Sequence, residues 1–263
     1  MPRVVDSAGR QDYPRGMQRA SPPLASRRVL ARSGLVTAAL TIGLGLGACR
    51  KGEVVANMDY DDPKQAIAEM DDAKRDAWVM PDRVVRSLPI ASKDGIIADI
   101  GAGSGYFSRR LAREVPGGTV YAVDVDDEFR GYIEQNRESW GTPNIEPHLA
   151  FYDDPALPEH GVDLVFVSNT YPYLRSRVSY FKKIAAALKP GGQLVVINFK
   201  PDAQAPDNTA PAPQFRTPRE TVISELAQAG FTLTREESFL PYQYFLVFQQ
   251  GAAKAAPRAA ATP

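Results

Sequence analysis

The stretch from Ile96 to Leu111 runs Ile-Ile-Ala-Asp-Ile-Gly-Ala-Gly-Ser-Gly-Tyr-Phe-Ser-Arg-Arg-Leu. An apolar run broken only by Asp99 is followed by Gly101, Gly103 and Gly105 at alternate positions, and then by Phe107, Leu111 and Val115 at helical spacing. The pattern predicts a buried strand, a tight glycine turn and the start of a helix. Glycine permits positive φ and lets a ligand approach the backbone closely, and a helix start offers unpaired N–H groups. Such a unit can hold a ligand against backbone; a βα turn without a ligand is the plainer alternative.

A dinucleotide fingerprint, Gly-x-Gly-x-x-Gly, uses its third glycine to pack helix on strand. Here that glycine comes one position early, and Tyr106 stands in its place. Asp99, two residues before the first glycine, suits a ligand with a cation and repels a pyrophosphate. The order Asp-x-Gly-x-Gly-x-Gly resembles motif I of the class I S-adenosylmethionine-dependent methyltransferases. The resemblance implies S-adenosylmethionine as cofactor, with its methionine end on Gly101, Gly103 and Gly105 and its ammonium group facing Asp99.

Further along, Gly117-Gly118 leads into a predicted strand ending on Asp124, at the distance from the glycine loop where a carboxylate can accept both hydroxyls of a ribose. Asp126, Asp127 and Glu128 suit the start of the next helix, Phe129 to Trp140. A third strand is expected over Asn144 to Ala150. The family resemblance then places Asp153 against the adenine amino group, with Asp154 as the alternative; a simple Asp-Asp-Pro turn is an equal reading.

A fourth strand is predicted from His160 to Asn169. Asn169-Thr170-Tyr171-Pro172-Tyr173 leaves its carboxyl end, where open α/β sheets place their active sites. Relatives often carry an acid and two histidines here, so Asn169, Pro172 and Tyr173 depart from the pattern, and the catalytic residues are not fixed by it. Asn169, Tyr171 and Tyr173 are the candidates for orienting an acceptor, with a core role for either tyrosine equally compatible.

A helix is expected from Arg175 to Leu188, stopped by Lys189-Pro190-Gly191-Gly192, with a fifth strand over Gln193 to Phe199. Leu-Lys-Pro-Gly-Gly before a strand again resembles class I methyltransferases. Residues 200–218 are proline-rich and predicted to loop over the cleft. A helix over Glu220 to Ala229 and strands over Phe231 to Ser238 and Tyr242 to Phe248 complete the pattern. Two closing strands with no helix between them make an antiparallel hairpin. The expected fold is therefore a doubly wound α/β domain, Rossmann-like, with a seven-stranded, mostly parallel sheet and a C-terminal antiparallel hairpin.

The N-terminal part differs in kind. Arginines are scattered through its first part, Gly34 to Ala48 is apolar, and the segment ends Leu46-Gly47-Ala48-Cys49. The apolar run is shorter than the roughly 20 residues of a transmembrane helix. A basic region, a short apolar region and small residues at the end describe an export signal. The ending resembles the lipobox of bacterial lipoproteins, which implies lipidation of Cys49, the only cysteine of the chain. Ser26-Arg27-Arg28-Val29-Leu30 resembles a twin-arginine signal, with Met17 as an alternative to Met1 as start. The expected layout is an export segment over 1–48, a tether over 49–62, a methyltransferase domain over 63–250 and a tail over 251–263.

Pro63 to Trp78 is predicted to be helical, with Ile67, Met70, Ala73 and Ala77 on one stripe. The family resemblance would lay such N-terminal helices over the cofactor cleft, and packing on the sheet is the alternative. With 31 basic and 31 acidic residues the chain has no net charge, so no nucleic-acid footprint is expected. Two histidines and one cysteine far apart give no transition-metal site. The expected function is methyl transfer by a lipid-anchored enzyme in the bacterial cell envelope, facing the periplasm, or in the cytoplasm if the signal is unused; the sequence does not name the acceptor, which is open among small molecule, lipid and protein, with a small molecule favoured. An exported binding module that kept the fold without turnover is the alternative.

Overall fold

Seven strands carry the structure: β1 (Ile96–Ile100), β2 (Thr119–Asp124), β3 (Ile145–Leu149), β4 (Val162–Ser168), β5 (Leu188–Phe199), β6 (Phe231–Glu237) and β7 (Gln243–Gln250). They form one sheet in the order β3-β2-β1-β4-β5-β7-β6. The first five run parallel; β7 is antiparallel to both β5 and β6. The computed structural model describes residues 62–205 and 210–251. The export segment expected over 1–48, Cys49, the tether (apart from Asp62) and the tail (apart from Gly251) lie outside the described residues.

The inner parallel strands β1, β4 and the later part of β5 are buried on both faces, which is why they are almost continuously apolar, whereas the edge strand β3 is half exposed. Ile97, Leu164, Phe166, Val195, Ile197 and Phe245 face one helical layer, which includes α3 (Pro81–Arg86) and α4 (Ser108–Glu114). Alternate residues such as Ala98, Ile100, Val165, Val167, Val196 and Leu246 face the other, built on α6 (Arg177–Ala187) and α7 (Arg219–Gln228). α5 (Asp127–Asn136) is capped by Asp126, whose side chain accepts from the Glu128 N–H.

Two local expectations are corrected. The N-terminal helix is broken: α1 (Pro63–Met70) ends at Asp71, a 3-10 turn covers Ala73–Arg75, and α2 (Asp76–Val79) follows. The Asp72 side chain caps the turn by accepting from the Lys74 N–H, and the break leaves Ala73 and Ala77 exposed while Trp78 and Val79 are buried. The Lys189–Gly192 segment does not lie between helix and strand. α6 already stops at Ala187, Leu188 pairs with Val162, and the next pair is Leu164 with Gln193. The residues between form a bulge within β5, with Gly191 at φ 83°. Asp163, inside that irregularity, accepts from the Ile96 N–H at 2.8 Å and from Lys189 Nζ at 2.7 Å, pinning the starts of β1, β4 and β5 together.

Candidate active site

The glycine loop leaves β1 at the carboxyl end of the sheet, beside the boundary between β1 and β4 where the strand order reverses. Ligands of open α/β sheets bind there. Gly101, Gly103 and Gly105 all have positive φ, at 73°, 54° and 76°. The N–H groups of Gly101 and Ala102 both donate to the Val123 carbonyl, at 2.8 and 3.1 Å. Gly103 donates to Asp124 Oδ2 at 2.8 Å, and Asp124 Oδ1 accepts from the N–H groups of Val125 and Asp126. The acid at the end of β2 thus shapes the loop after β1. A side chain at Gly101 would enter Thr170, and one at Gly103 would come within 2.7 Å of the Met70 sulfur, so only glycine fits both approaches.

Asp99 and Asp124 are 3% and 8% exposed. Burial pushes the Asp99 carboxyl up to about 7; the Ser108 hydroxyl, donating at 2.6 Å, works against this and the Asp124 charge adds to it. Burial also raises Asp124, opposed by its three backbone N–H donors. Neither acid is ion-paired with a described residue. Two buried carboxylates beside a glycine cradle fit a ligand carrying positive charge and would repel a phosphate. The donor set therefore fits S-adenosylmethionine, with its sulfonium and ammonium groups.

The N-terminal segment lies across this loop. Asp71 accepts from Ser104 Oγ and from Arg109 Nη2, both at 2.7 Å. The Tyr106 hydroxyl donates to Asp76, and the Arg75 and Arg110 guanidinium groups lie over its ring, 4.8 and 4.2 Å from the centroid. Tyr106 replaces the helix-packing glycine of a dinucleotide loop with a tie to the covering segment, a role the motif alone does not disclose.

Beyond β3 the chain turns tightly, with mutual backbone hydrogen bonds between Phe151 and Asp154. Asp153 is exposed at the tip of this turn, beside the 63% exposed Phe151. Asp154 is instead paired with Lys183 at 2.7 Å, which holds its carboxyl below the usual range.

At the end of β4, Asn169 adopts φ 57° and its Oδ1 accepts from Gln243 Nε2 at 2.8 Å. Tyr171 and Tyr173 diverge. Tyr171 is fully buried, stacked on Phe181, and its hydroxyl donates to Glu225 Oε2 at 2.6 Å; Glu225 also accepts two hydrogen bonds from Arg177. That placement makes it a core residue that positions the segment and withdraws it as an acceptor contact. Tyr173 is half-buried against Phe215, burial raises its pKa, and no described residue pairs with its hydroxyl. Gln243, 2% exposed, was not among the sequence candidates. Only the pairing of β7 with β5 brings it near Asn169, 74 residues away.

A crystal structure of a SAM dependent methyltransferase from Aquifex aeolicus superposes with a TM-score of 0.66 at 24% identity, covering 72% of this chain and 98% of that one. The fold is that of the S-adenosylmethionine-dependent methyltransferases. Residues 97–192 match the methyltransferase domain family profile. Over 114 residues the chain is 34% identical to the protein-L-isoaspartate O-methyltransferase of Aeropyrum pernix, covering 41% of this chain and 40% of that protein. Over 132 residues it is 30% identical to the trans-aconitate 2-methyltransferase of Afipia carboxidovorans, covering 46% of each. The chain thus spans less than half the length of these two curated relatives.

Proposed function

We propose that this chain is an S-adenosylmethionine-dependent methyltransferase acting on a small-molecule acceptor. The observation that carries the reading is the loop held by Gly103 and Asp124, with a second buried acid, Asp99, beneath it. The cofactor, when bound, supplies a sulfonium methyl already activated by its positive charge. In this reading Asp124 receives the ribose hydroxyls, the backbone of Gly101, Gly103 and Gly105 receives the methionine end, and Asp99 faces the ammonium. Asp153 serves the adenine amino group from its exposed turn. Asn169 and Tyr173 orient the acceptor nucleophile, and the segment from Met70 to Trp78 excludes water. Holding nucleophile and methyl in line is itself the main catalytic contribution, and a strong general base is not required. Incubation of the full chain, in detergent, with labelled cofactor and an acceptor library tests this. Transfer to a library member is expected; cofactor binding with no transfer to any acceptor contradicts turnover.

The second reading, an export-derived module that binds the cofactor without turnover, draws on the same segment. His148 lies on β3 and bonds the Ala156 carbonyl, and His160 precedes β4. Neither replaces the two histidines that relatives often carry at the end of β4, where this chain has Pro172 and Tyr173. Fold alone does not decide between the two.

The lipobox-like Leu46–Cys49 supports a reading of export and anchoring through Cys49, with the domain at the cell envelope, facing the periplasm. More than one acyl chain makes such an anchor stable. Labelling with radioactive palmitate and membrane fractionation test this: Cys49→Ala should lose both label and membrane association, and a labelled Cys49→Ala protein would contradict it.

A further inference from the structure

Gln243 opens β7 and is buried. Phe245 and Val247 of the same strand face the layer of Ile97, Val120 and Ala122, so by alternation Gln243 faces it too, as do Asp99 and Asp124. Its strand partner Phe199 lies against Trp78 of the covering segment, with ring centroids 5.5 Å apart. Gln243 therefore stands on the cofactor side of the sheet, under the segment that crosses the glycine loop.

Asn169 would point the other way if β4 simply continued. Val165 and Val167 face the α6–α7 layer, and regular alternation would send Asn169 there. Its φ of 57° ends the alternation, and Gln243 Nε2 donates to its Oδ1 at 2.8 Å, which holds the amide on the cofactor side. Thr170, next in the chain, fills the space that a side chain at Gly101 would need, so the Asn169 corner adjoins the glycine loop. Unlike Gln243, Asn169 is only half-buried, and among the described residues nothing pairs with its Nδ2. With Oδ1 engaged by Gln243, the end of the amide left for a ligand is an N–H donor.

Resting on the methyltransferase reading, we propose that Gln243 is a positioning residue that holds the Asn169 amide with Nδ2 toward the methyl acceptor, and that the acceptor so selected is a carboxylate rather than an amine. A carboxylate has lone pairs to spare. One oxygen takes the hydrogen bond from Nδ2, and the other forms the bond to the methyl as the methyl–sulfur bond breaks and leaves its electron pair on sulfur. No proton has to leave, because a carboxylate is ionised near neutral pH. An amine is protonated there and must first lose a proton, and its single lone pair would then be contested by Nδ2. Glu225 is no base for that purpose, since it already accepts from Tyr171 and twice from Arg177.

The test uses the full chain in detergent, saturated with S-adenosylmethionine, and ligand-observed NMR with benzoate and benzylamine; any methyl benzoate is read in the same spectra. Benzoate is expected to bind at least about tenfold more tightly than benzylamine. Gln243→Leu frees the amide to turn and should bring the two affinities within about threefold, with affinity for S-adenosylmethionine kept, which loss of a merely structural bond would not do. Gln243→Glu has no donor for Oδ1 and accepts from Nδ2 instead, so the amide turns over and the order of the probes should invert. In the Asn169→Ala background Gln243→Glu should change neither affinity by more than about twofold, because Gln243 acts through Asn169. Benzylamine binding as well as benzoate to the parent, an unchanged order in Gln243→Glu, a Gln243→Glu effect that persists in the Asn169→Ala background, or no binding of benzoate to a chain that does bind S-adenosylmethionine overturns the assignment. Failure of the parent to bind S-adenosylmethionine strikes the methyltransferase reading first, and the assignment falls with it.

Discussion

The N–H of Gly103 donates to Asp124 Oδ2 at 2.8 Å, joining the turn after β1 to the end of β2 across 21 residues of sequence. The bond couples the path of the glycine loop to the direction of the carboxylate, which the Val125 and Asp126 N–H groups also hold. The pair works only because Gly103, at φ 54°, turns its N–H inward.

Gly103→Ala tests that dependence. A residue with a side chain in the left-handed region costs about 1–2 kcal/mol, and the new Cβ would lie 2.7 Å from the Met70 sulfur. The expected outcome is a loss of stability of that order in chemical denaturation. In calorimetry, affinity for S-adenosylmethionine should fall by at least roughly tenfold, since the loop must shift.

Acidity at Asp99 predicts opposite pH trends for stability and for binding. An unfolded aspartate titrates near 4, whereas burial holds Asp99 up to about 7 in the fold. Between these values the folded chain keeps a proton that the unfolded chain has lost, so stability of the free protein falls as pH rises through this window and levels off above it. A cationic cofactor favours the ionised carboxyl, so affinity should rise through the same window. Thermal unfolding and calorimetry between about pH 4 and pH 8 read both trends. Asp99→Asn should flatten them, and Ser108→Ala, which removes a donor to the carboxylate, should move them to higher pH.

The two tyrosines after β4 should respond differently. Tyr171→Phe removes a donor to Glu225 and is expected to cost about 1–2 kcal/mol in chemical denaturation, with cofactor affinity unchanged. Glu225→Ala should cost about 3 kcal/mol because it leaves Arg177 largely buried without its carboxylate. Tyr173→Phe should change stability by roughly 0.5 kcal/mol or less and lower acceptor turnover instead. Equal loss of turnover in Tyr171→Phe and Tyr173→Phe would contradict the division.

Much of this arrangement is legible in the residues. The strand runs, the glycine loop, Asp124 and the closing hairpin depend on local period and turn chemistry, which a sequence displays. What stays hidden depends on partners far along the chain. Pro63 to Trp78 has a continuous helical pattern, yet it breaks at Asp71, whose side chain is tied to Ser104 and Arg109, 33 and 38 residues on. Tyr171 has the look of a cleft residue until Glu225, 54 residues away, claims its hydroxyl. Lys189–Gly192 has the composition of a helix stop, but the pairing of β5 with β4 absorbs it as a bulge.

The central claim is that Asp124 and the loop it holds bind S-adenosylmethionine. Calorimetric titration of the full chain in detergent, alongside Asp124→Ala checked for folding by circular dichroism, tests it most directly. The account predicts micromolar binding to the parent and a loss of at least roughly tenfold in the folded variant. No binding at millimolar cofactor, or equal affinity in Asp124→Ala, would contradict it.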